Sequence, residues 1–206
     1  MNVLVLRRKR FWENKKRQEL LFDNIRIKIV YIIKVNKRVR RYAAGFDLAV
    51  SLDFEQFFVK SRLMEMFAAE SFEKIALRHG GVDTDVLEAQ VDILNEKNAE
   101  ILVKLALKAR YVIIHGNIAG DKFDFLCDEA GVSPEFAGND FRHNLVVYLG
   151  EEFLIKHVPT GKIYYDVFLW DRKKYFVPEM NMIFSEFLRL NPCEMNNVKI
   201  RDLMSK

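Results

Sequence analysis

The segment from Phe123 to Leu149 constrains the fold most, because a glycine there separates two stretches with helical character. The first stretch predicts a short helix that ends at Gly131, since glycine adopts the left-handed conformation of a tight turn without steric cost. Ser133 is expected to cap a second helix with its side-chain oxygen, and Pro134 suits the first helical position after that cap. The segment therefore predicts two short helices that meet at a corner.

The turn itself resembles the helix-turn-helix of bacterial and phage regulators, in which these four positions commonly read Ala-Gly-Val-Ser. In this chain the turn is Ala130-Gly131-Val132-Ser133, and Cys127 is small enough for the two helices to cross closely. The stretch over residues 121–149 is also similar to a segment of short prophage proteins. If the second helix presents its later turns to a DNA groove, Arg142, His143 and Asn144 would read base edges there.

The charges of the same stretch favour a different interpretation, a plain helical corner without DNA contacts. Residues 121–149 contain six acidic residues and only two basic ones. Docking them on a duplex would bring like charges together. Gly138 and Asn139 also weaken a helix at the place where a recognition helix should be firm. Both interpretations stay open at the level of sequence.

Positive charge is concentrated at the start of the chain. Residues 1–42 contain 14 Lys and Arg against 3 Asp and Glu, and the remainder contains 19 basic and 26 acidic residues. This distribution predicts a basic N-terminal arm with one strand over residues 1–42, attached to a single acidic α+β domain over residues 43–206. Such an arm suits the phosphates of a nucleic acid or an acidic protein surface. The alternative is that the arm folds back onto its own domain.

The candidate nucleic-acid-binding residues are cations of this arm, which would contact phosphates, and two residues of the predicted corner. They are Arg7, Arg8, Lys9, Arg10, Lys15, Lys16, Arg17, Lys37, Arg38, Arg40, Arg41, Arg142 and Asn144. Phe11 and Trp12 stand among the first of these cations, where aromatic rings either stack on bases or dock on the core. Alternation of Ile25, Ile27 and Ile29 with basic residues predicts the strand of the arm.

Residues 53–112 predict a long helical hairpin. Asp53 is expected to begin the first helix and Gly80 to end it. The second helix follows with an apolar stripe of nearly heptad spacing from Leu87 to Val112. Two helices of this length would present a face rich in Phe and Met. The hairpin therefore predicts a surface for a homodimer or for another protein partner.

Three polar residues stand out within these predicted helices and at their ends. Asn98 interrupts the apolar stripe, where it either fixes the register of a helical pair or rotates to the rim. His79 and His115 each precede a glycine at a predicted helix end, where an imidazole commonly complements the helix dipole. Neither histidine has partners at metal-ligand spacing, so the sequence predicts no metal site and no cofactor.

The C-terminal third changes to a strand pattern. Residues 151–178 predict an antiparallel β-meander with a turn at Pro159-Thr160-Gly161, and residues 181–190 predict a helix. The polar residues 171–174 form either the wing of a winged helix or an exposed hairpin turn. The predicted fold class is α+β, with a long α-helical hairpin, a helix-turn-helix-like corner and a C-terminal antiparallel β-meander.

Composition and chain order indicate a cytoplasmic protein. No run approaches the roughly 18 apolar residues that span a bilayer. The first apolar residues precede the first charges, which is the reverse of a secretory signal. Cys127 and Cys193 are far apart and lack the spacing of a metal site, which suits a reducing compartment.

We expect a nucleic-acid-binding accessory or regulatory protein, encoded by a phage or another mobile element. The alternative is a non-catalytic assembly or inhibitor protein that binds a partner or dimerises through its helical hairpin. A metal-dependent nuclease is a minor possibility, because Asp171 and Lys173, with Glu152 or Asp166 upstream, partly match the two carboxylates and lysine of such enzymes. No catalytic residue is predicted.

Overall fold

The computed structural model describes residues 1–9, 17–22, 24–80, 83–138, 140–168, 179–193 and 202–205. Internal contacts divide the chain into two compact units. Unit 1 comprises Met1–Arg62 and Asp171–Val198, and unit 2 comprises Leu63–Trp170 and Lys199–Lys206. Each unit contains its own sheet, with parallel and antiparallel pairs in both.

The strands and helices are numbered in chain order. The strands are β1 (Asn2–Arg8), β2 (Gln18–Phe22), β3 (Ile25–Ile32), β4 (Leu48–Val50), β5 (Val86–Val91), β6 (Tyr111–His115), β7 (Glu135–Ala137), β8 (Leu145–Leu149), β9 (Phe153–His157), β10 (Lys162–Phe168) and β11 (Asp202–Ser205). The helices are α1 (Lys37–Ala43), α2 (Leu63–Met66), α3 (Ala68–His79), α4 (Glu96–Ala106), α5 (Asp124–Ala130) and α6 (Met180–Leu190). Short 3-10 helices cover Glu55–Phe57, Gly120–Phe123 and Val158–Thr160.

Unit 1 is built on a sheet of order β2-β3-β1-β4. Strand β1 lies parallel to both β3 and β4, and β2 pairs antiparallel with β3. The four residues Val3–Leu6 of β1 are all buried. Because successive side chains point to opposite faces, both faces of the sheet are covered here. Helix α1 follows β3 and contributes Ala43 to a core that also contains Leu4, Val30 and Phe54.

Unit 2 is built on a sheet of order β11-β10-β9-β8-β5-β6-β7. The pairs β8-β5, β5-β6 and β6-β7 are parallel. The pairs β8-β9, β9-β10 and β10-β11 are antiparallel. The chain passes from β5 through α4 to β6, through α5 to β7, and then returns to the other side of β5 as β8. Leu87 and Ala89 of β5 alternate with Glu88 and Gln90, so one face is apolar and the other carries polar groups.

The predicted helical hairpin over residues 53–112 is wrong. Its second half contains strand β5, helix α4 and strand β6. The apolar residues of β5 and β6 continue the spacing of α4, and short apolar runs are easily mistaken for part of a helical stripe. Helix α4 starts late because Asn95 caps it, accepting the Asn98 backbone N–H at 2.9 Å. Asp53 begins no helix, since its carboxylate accepts the Arg8 backbone N–H at 2.8 Å.

The predicted helix-turn-helix-like corner over residues 121–149 is also wrong. Helix α5 does end at Gly131, which has the left-handed φ of 65°. Beyond it the chain continues as strand β7 and, after the segment 140–144, as strand β8. The β-branched and aromatic residues of Leu145–Leu149 favour a strand, and pairing with β5 outweighs the local cap signal of Ser133.

The predicted C-terminal antiparallel β-meander over residues 151–178 is wrong. Strands β9 and β10 pair antiparallel, but they continue the mixed sheet of unit 2, with β8 on one side and β11 on the other. Residues 169–178, which include the predicted wing, lie outside the described residues. Among the helices that the structure describes, none combines the length and the apolar character needed to cross a membrane.

Candidate nucleic-acid interface

Helix α1 carries the densest group of predicted phosphate contacts. It begins at Lys37 because Asn36 caps it, accepting the Val39 backbone N–H at 3.0 Å. Val39 packs against the core of unit 1 and Ala43 is part of it, so the remaining side chains of the helix point away from that core. The four basic residues of the helix are exposed, and we call them the α1 cations: Lys37, Arg38, Arg40 and Arg41.

The α1 cations have no acidic partner among the residues that the structure describes. Within the described residues, none of the four forms an ion pair, and α1 has no acidic residue in its first turn. Arg40 and Arg41 lie in the last turn, where a cation interacts favourably with the helix dipole. That interaction leaves the guanidinium groups free to contact an anion. The helix therefore presents positive charge to solvent.

Arg7, another predicted contact, is engaged inside unit 1 instead. Its guanidinium donates to both carboxylate oxygens of Glu179, from Nη2 at 2.8 Å and from Nε at 3.2 Å. Glu179 is only 2% exposed. The hydrogen bond to Glu179 raises the pKa of Arg7 above its usual value, against the opposing effect of burial. This bidentate pair is part of the folded unit and is not available to phosphates.

The other predicted contacts near the N-terminus differ in their surroundings. Arg8 is exposed, but its guanidinium donates to the Asp53 carbonyl at 3.3 Å and lies 5.3 Å from the centre of the Phe54 ring. Lys9 and Arg17 are exposed. The Lys9 backbone N–H bonds to Ile32 at 2.8 Å, which places Lys9 beside the end of β3. The predicted contacts Arg10, Lys15 and Lys16, with the aromatic residues Phe11 and Trp12, lie outside the described residues.

Tyr42 is an exposed aromatic residue on α1 that sequence reasoning missed. It is 41% exposed, and the Lys28 ammonium lies 5.8 Å from the centre of its ring. The side-chain hydrogen bond with Tyr42 is the main reason why the pKa of Lys28 is raised. Glu19, whose carboxylate lies 3.5 Å from the Lys28 ammonium, raises that pKa further. The available signal was the position of Tyr42 directly after two arginines.

Arg142 and Asn144, the predicted base-reading residues, belong to unit 2 and lie on no helix. The Arg142 guanidinium forms an exposed ion pair with Glu135 at 3.0 Å. Asn144 is exposed in the segment that leads into β8. The structure therefore does not present these two side chains from a recognition helix.

Unit 2 contains a second polar group that the sequence did not predict, which we call the Glu88 cluster. Glu88 is fully buried on β5, and its carboxylate accepts the backbone N–H groups of Arg142 at 3.0 Å and His143 at 2.8 Å. His115 Nε2 lies 2.7 Å from the same carboxylate, and His115 Nδ1 bonds to the Gly138 carbonyl. Both ring nitrogens thus face oxygen atoms of the protein.

The electrostatics of the Glu88 cluster favour the ionised carboxylate. Burial raises the pKa of Glu88. The hydrogen bonds from the backbone N–H groups of Arg142 and His143, and then the interaction with His115, lower this pKa by more than burial raises it, so the net shift is downward. The hydrogen bonds of the carboxylate all join β5 to β6 or to the segment after β7. The cluster therefore holds Gly138, Arg142 and His143 close to β5 and β6, and the carboxylate of Glu88 is occupied internally.

A third polar group, the histidine stack, consists of His79, His157 and Tyr164. The two imidazole rings are parallel within 12°, with centroids 3.6 Å apart, and His79 Nε2 lies 2.8 Å from the Tyr164 hydroxyl. Burial lowers the pKa of both histidines. The neighbouring His157 and Lys162 lower the pKa of His79 further, and Lys162 also lowers the pKa of His157. His79 ends α3 as a neutral packed ring.

Neither the Glu88 cluster nor the histidine stack has the set of ligands that a metal ion needs, among the residues that the structure describes. In the part of the chain that the structure describes, no three His, Cys, Asp or Glu residues are placed to hold a metal ion. No protein-family model, no curated protein and no solved structure matches this chain. Any functional inference therefore depends on the geometry and charge of the chain itself.

Proposed function

We propose that this protein binds nucleic acid through α1, as an accessory or regulatory protein. One observation carries the proposal: the α1 cations are exposed on seven residues of helix without an ion pair among the described residues. Lysine and arginine side chains of this kind contact phosphate oxygens and release the counterions that surround a nucleic acid. Lys9 adds a further exposed cation to the same unit.

The division of charge between the two units supports the same function. Unit 1 contains 20 basic and 10 acidic residues, a net charge of +10, and unit 2 contains 13 basic and 19 acidic residues, a net charge of −6. A field of that size around unit 1 would attract a polyanion and speed its association. Because unit 2 is acidic, we assign the phosphate contacts to unit 1.

This proposal places the protein in the cytoplasm, where nucleic acid is accessible and thiols stay reduced. Cys127 and Cys193 are both free and exposed, which suits a reducing compartment. An origin in a phage or another mobile element stays a prediction. The alternative of a partner bound through a helical hairpin loses its basis, because the described residues contain no such hairpin.

The direct test is the binding of fluorescently labelled DNA and RNA to the full chain, measured by anisotropy at about 0.1 M salt. The α1 variant replaces the four α1 cations by glutamine. A matched control variant removes the same amount of charge from the exposed surface of unit 2, through Lys104→Gln, Lys108→Gln, Arg110→Gln and Lys122→Gln.

We expect the α1 variant to bind at least tenfold more weakly than the unchanged chain, because four phosphate contacts are lost. The control variant should stay within about twofold, since exposed cations on an acidic unit contribute little. Equal weakening by the two variants would show that only net charge matters. Unchanged binding by the α1 variant would remove α1 from the interface.

A further inference from the structure

Helix α1 combines its cations with one exposed ring. Tyr42 is four residues from Arg38 and directly follows Arg41, and side chains at a spacing of four lie on the same side of a helix. The ring is 41% exposed although α1 packs against the core of unit 1. A tyrosine in this position adds a flat π surface to the charged face of the helix.

The Tyr42 ring is held in place by its neighbours. The Tyr42 and Phe46 rings are T-shaped, with a centroid distance of 5.3 Å and an interplanar angle of 66°, and the Lys28 ammonium lies 5.8 Å from the Tyr42 ring centre. A side chain that is already positioned loses little conformational entropy when a ligand stacks on it. Tyr42 is therefore both accessible and preorganised.

The α1 cations spread over almost half of the helix circumference. At 100° per residue, the directions of Arg40, Lys37, Arg41 and Arg38 cover about 160° of the helix circumference, and Tyr42 follows about 40° beyond Arg38. The phosphates of a stiff double helix keep fixed positions, so they cannot adjust to the arrangement of these cations. A flexible single strand can curve around the arc and bring each phosphate to a cation.

We propose that α1 binds single-stranded nucleic acid in preference to duplex, with one base stacked on Tyr42 and the neighbouring phosphates bound by Arg38 and Arg41. This specificity rests on the proposed function and deepens it. In a duplex the faces of the bases are covered by neighbouring pairs, so Tyr42 gains no partner there. In a single strand every base offers a π face, and stacking on an aromatic side chain tolerates any sequence.

The test compares one labelled 15-residue oligonucleotide as a single strand and as a duplex, with full-length protein at one salt concentration. A 2-aminopurine base within the strand reports stacking through quenching of its fluorescence. The variants are Tyr42→Leu, which removes the aromatic ring, and Tyr42→Phe, which keeps it. Tyr111→Leu in unit 2 serves as the control, because Tyr111 is more exposed than Tyr42 but lies outside unit 1.

We expect Tyr42→Leu to weaken single-strand binding roughly tenfold and to abolish the quenching, while duplex binding stays within about twofold. Tyr42→Phe and Tyr111→Leu should both behave like the unchanged chain. Single-strand binding that is unaffected by Tyr42→Leu, an equal loss with Tyr42→Phe, or tighter binding of duplex would each overturn the stacking proposal while leaving nucleic-acid binding in place. Failure of both strands to bind would overturn the proposed function itself.

Discussion

Unit 1 and unit 2 place their charged groups in opposite ways. The α1 cations of unit 1 are exposed and have no ion pair among the described residues, whereas the Glu88 carboxylate of unit 2 is buried and accepts hydrogen bonds from backbone N–H groups. Exposed charge without internal compensation is available to a partner. Buried charge with complete compensation contributes to folding and to the position of a segment.

Net charge alone does not separate these two roles. Arg7 belongs to the basic unit, yet its guanidinium is bound to the buried Glu179. Glu135 belongs to the acidic unit, yet it lies on the surface in an exposed pair. The location of each charge and the burial of its partner decide whether it stabilises the fold or meets a ligand. Replacing one charged residue at a time, buried or exposed, therefore tests this difference between the units.

The largest effect is expected from the centre of unit 2. Replacing Glu88 by alanine leaves two backbone N–H groups and the His115 ring without their acceptor. We expect the free energy of unfolding to fall by about 3–5 kcal/mol, because each buried group that loses its acceptor costs about 1–3 kcal/mol. Urea denaturation measures it. Glu135→Gln, which removes an exposed pair, should lower stability by less than about 1 kcal/mol.

A smaller effect is expected at the buried pair of unit 1. Replacing Arg7 by methionine keeps the aliphatic stem but leaves the Glu179 carboxylate without its bidentate partner. Because the Arg7 side chain is 24% exposed, we expect a loss of about 2 kcal/mol, less than for a fully buried pair. Nucleic-acid binding by the folded variant should change by less than twofold, and a tenfold loss would place Arg7 in the interface.

The histidine stack should make stability depend on pH. The pKa values of His79 and His157 are lowered by burial in the folded chain, so the unfolded chain binds more protons just below its own histidine pKa of about 6.5. The contribution is fully present above about pH 6.5 and is lost as pH falls through the lowered values. Urea midpoints from pH 7.5 to 5 should decline, and His157→Gln should flatten that decline. An equally steep decline in the variant would assign it to other groups.

The smallest effect on stability is expected from the α1 variant. Its four side chains are exposed and have no ion pair among the described residues, so their removal should change the free energy of unfolding by less than about 1 kcal/mol, mostly through Arg40 and Arg41 at the helix dipole. A larger loss in urea denaturation would show that these cations stabilise unit 1. That result would erase the contrast between the two units.

Local signals in the sequence predicted some elements well. The alternation of Ile25, Ile27 and Ile29 predicts a strand, and β3 covers Ile25–Ile32. Gly131 predicts the end of a helix, and α5 ends there. Residues 181–190 predict a helix, and α6 covers Met180–Leu190. In each case the signal lies within the element itself, so no distant contact was needed.

The rest depended on contacts between distant residues. The apolar residues of β5 and β6 happened to continue the helical spacing of α4, and only their parallel pairing makes them strands. Glu88 stood alone in its segment because the backbone donors that hold it come 54 and 55 residues later. Arg7 looked available because Glu179 follows it by 172 residues. The α1 cations were included among the predicted contacts, but Tyr42 was not.

The salt dependence of binding tests the central claim most directly. The logarithm of the association constant for a single strand should fall linearly with the logarithm of salt concentration, with a slope of roughly −0.7 for each neutralised phosphate. If the α1 cations contact four phosphates, the α1 variant should show a slope smaller in magnitude by about 3, while the unit 2 control variant keeps the original slope. An α1 variant with the slope of the unchanged chain would contradict an interface on this helix.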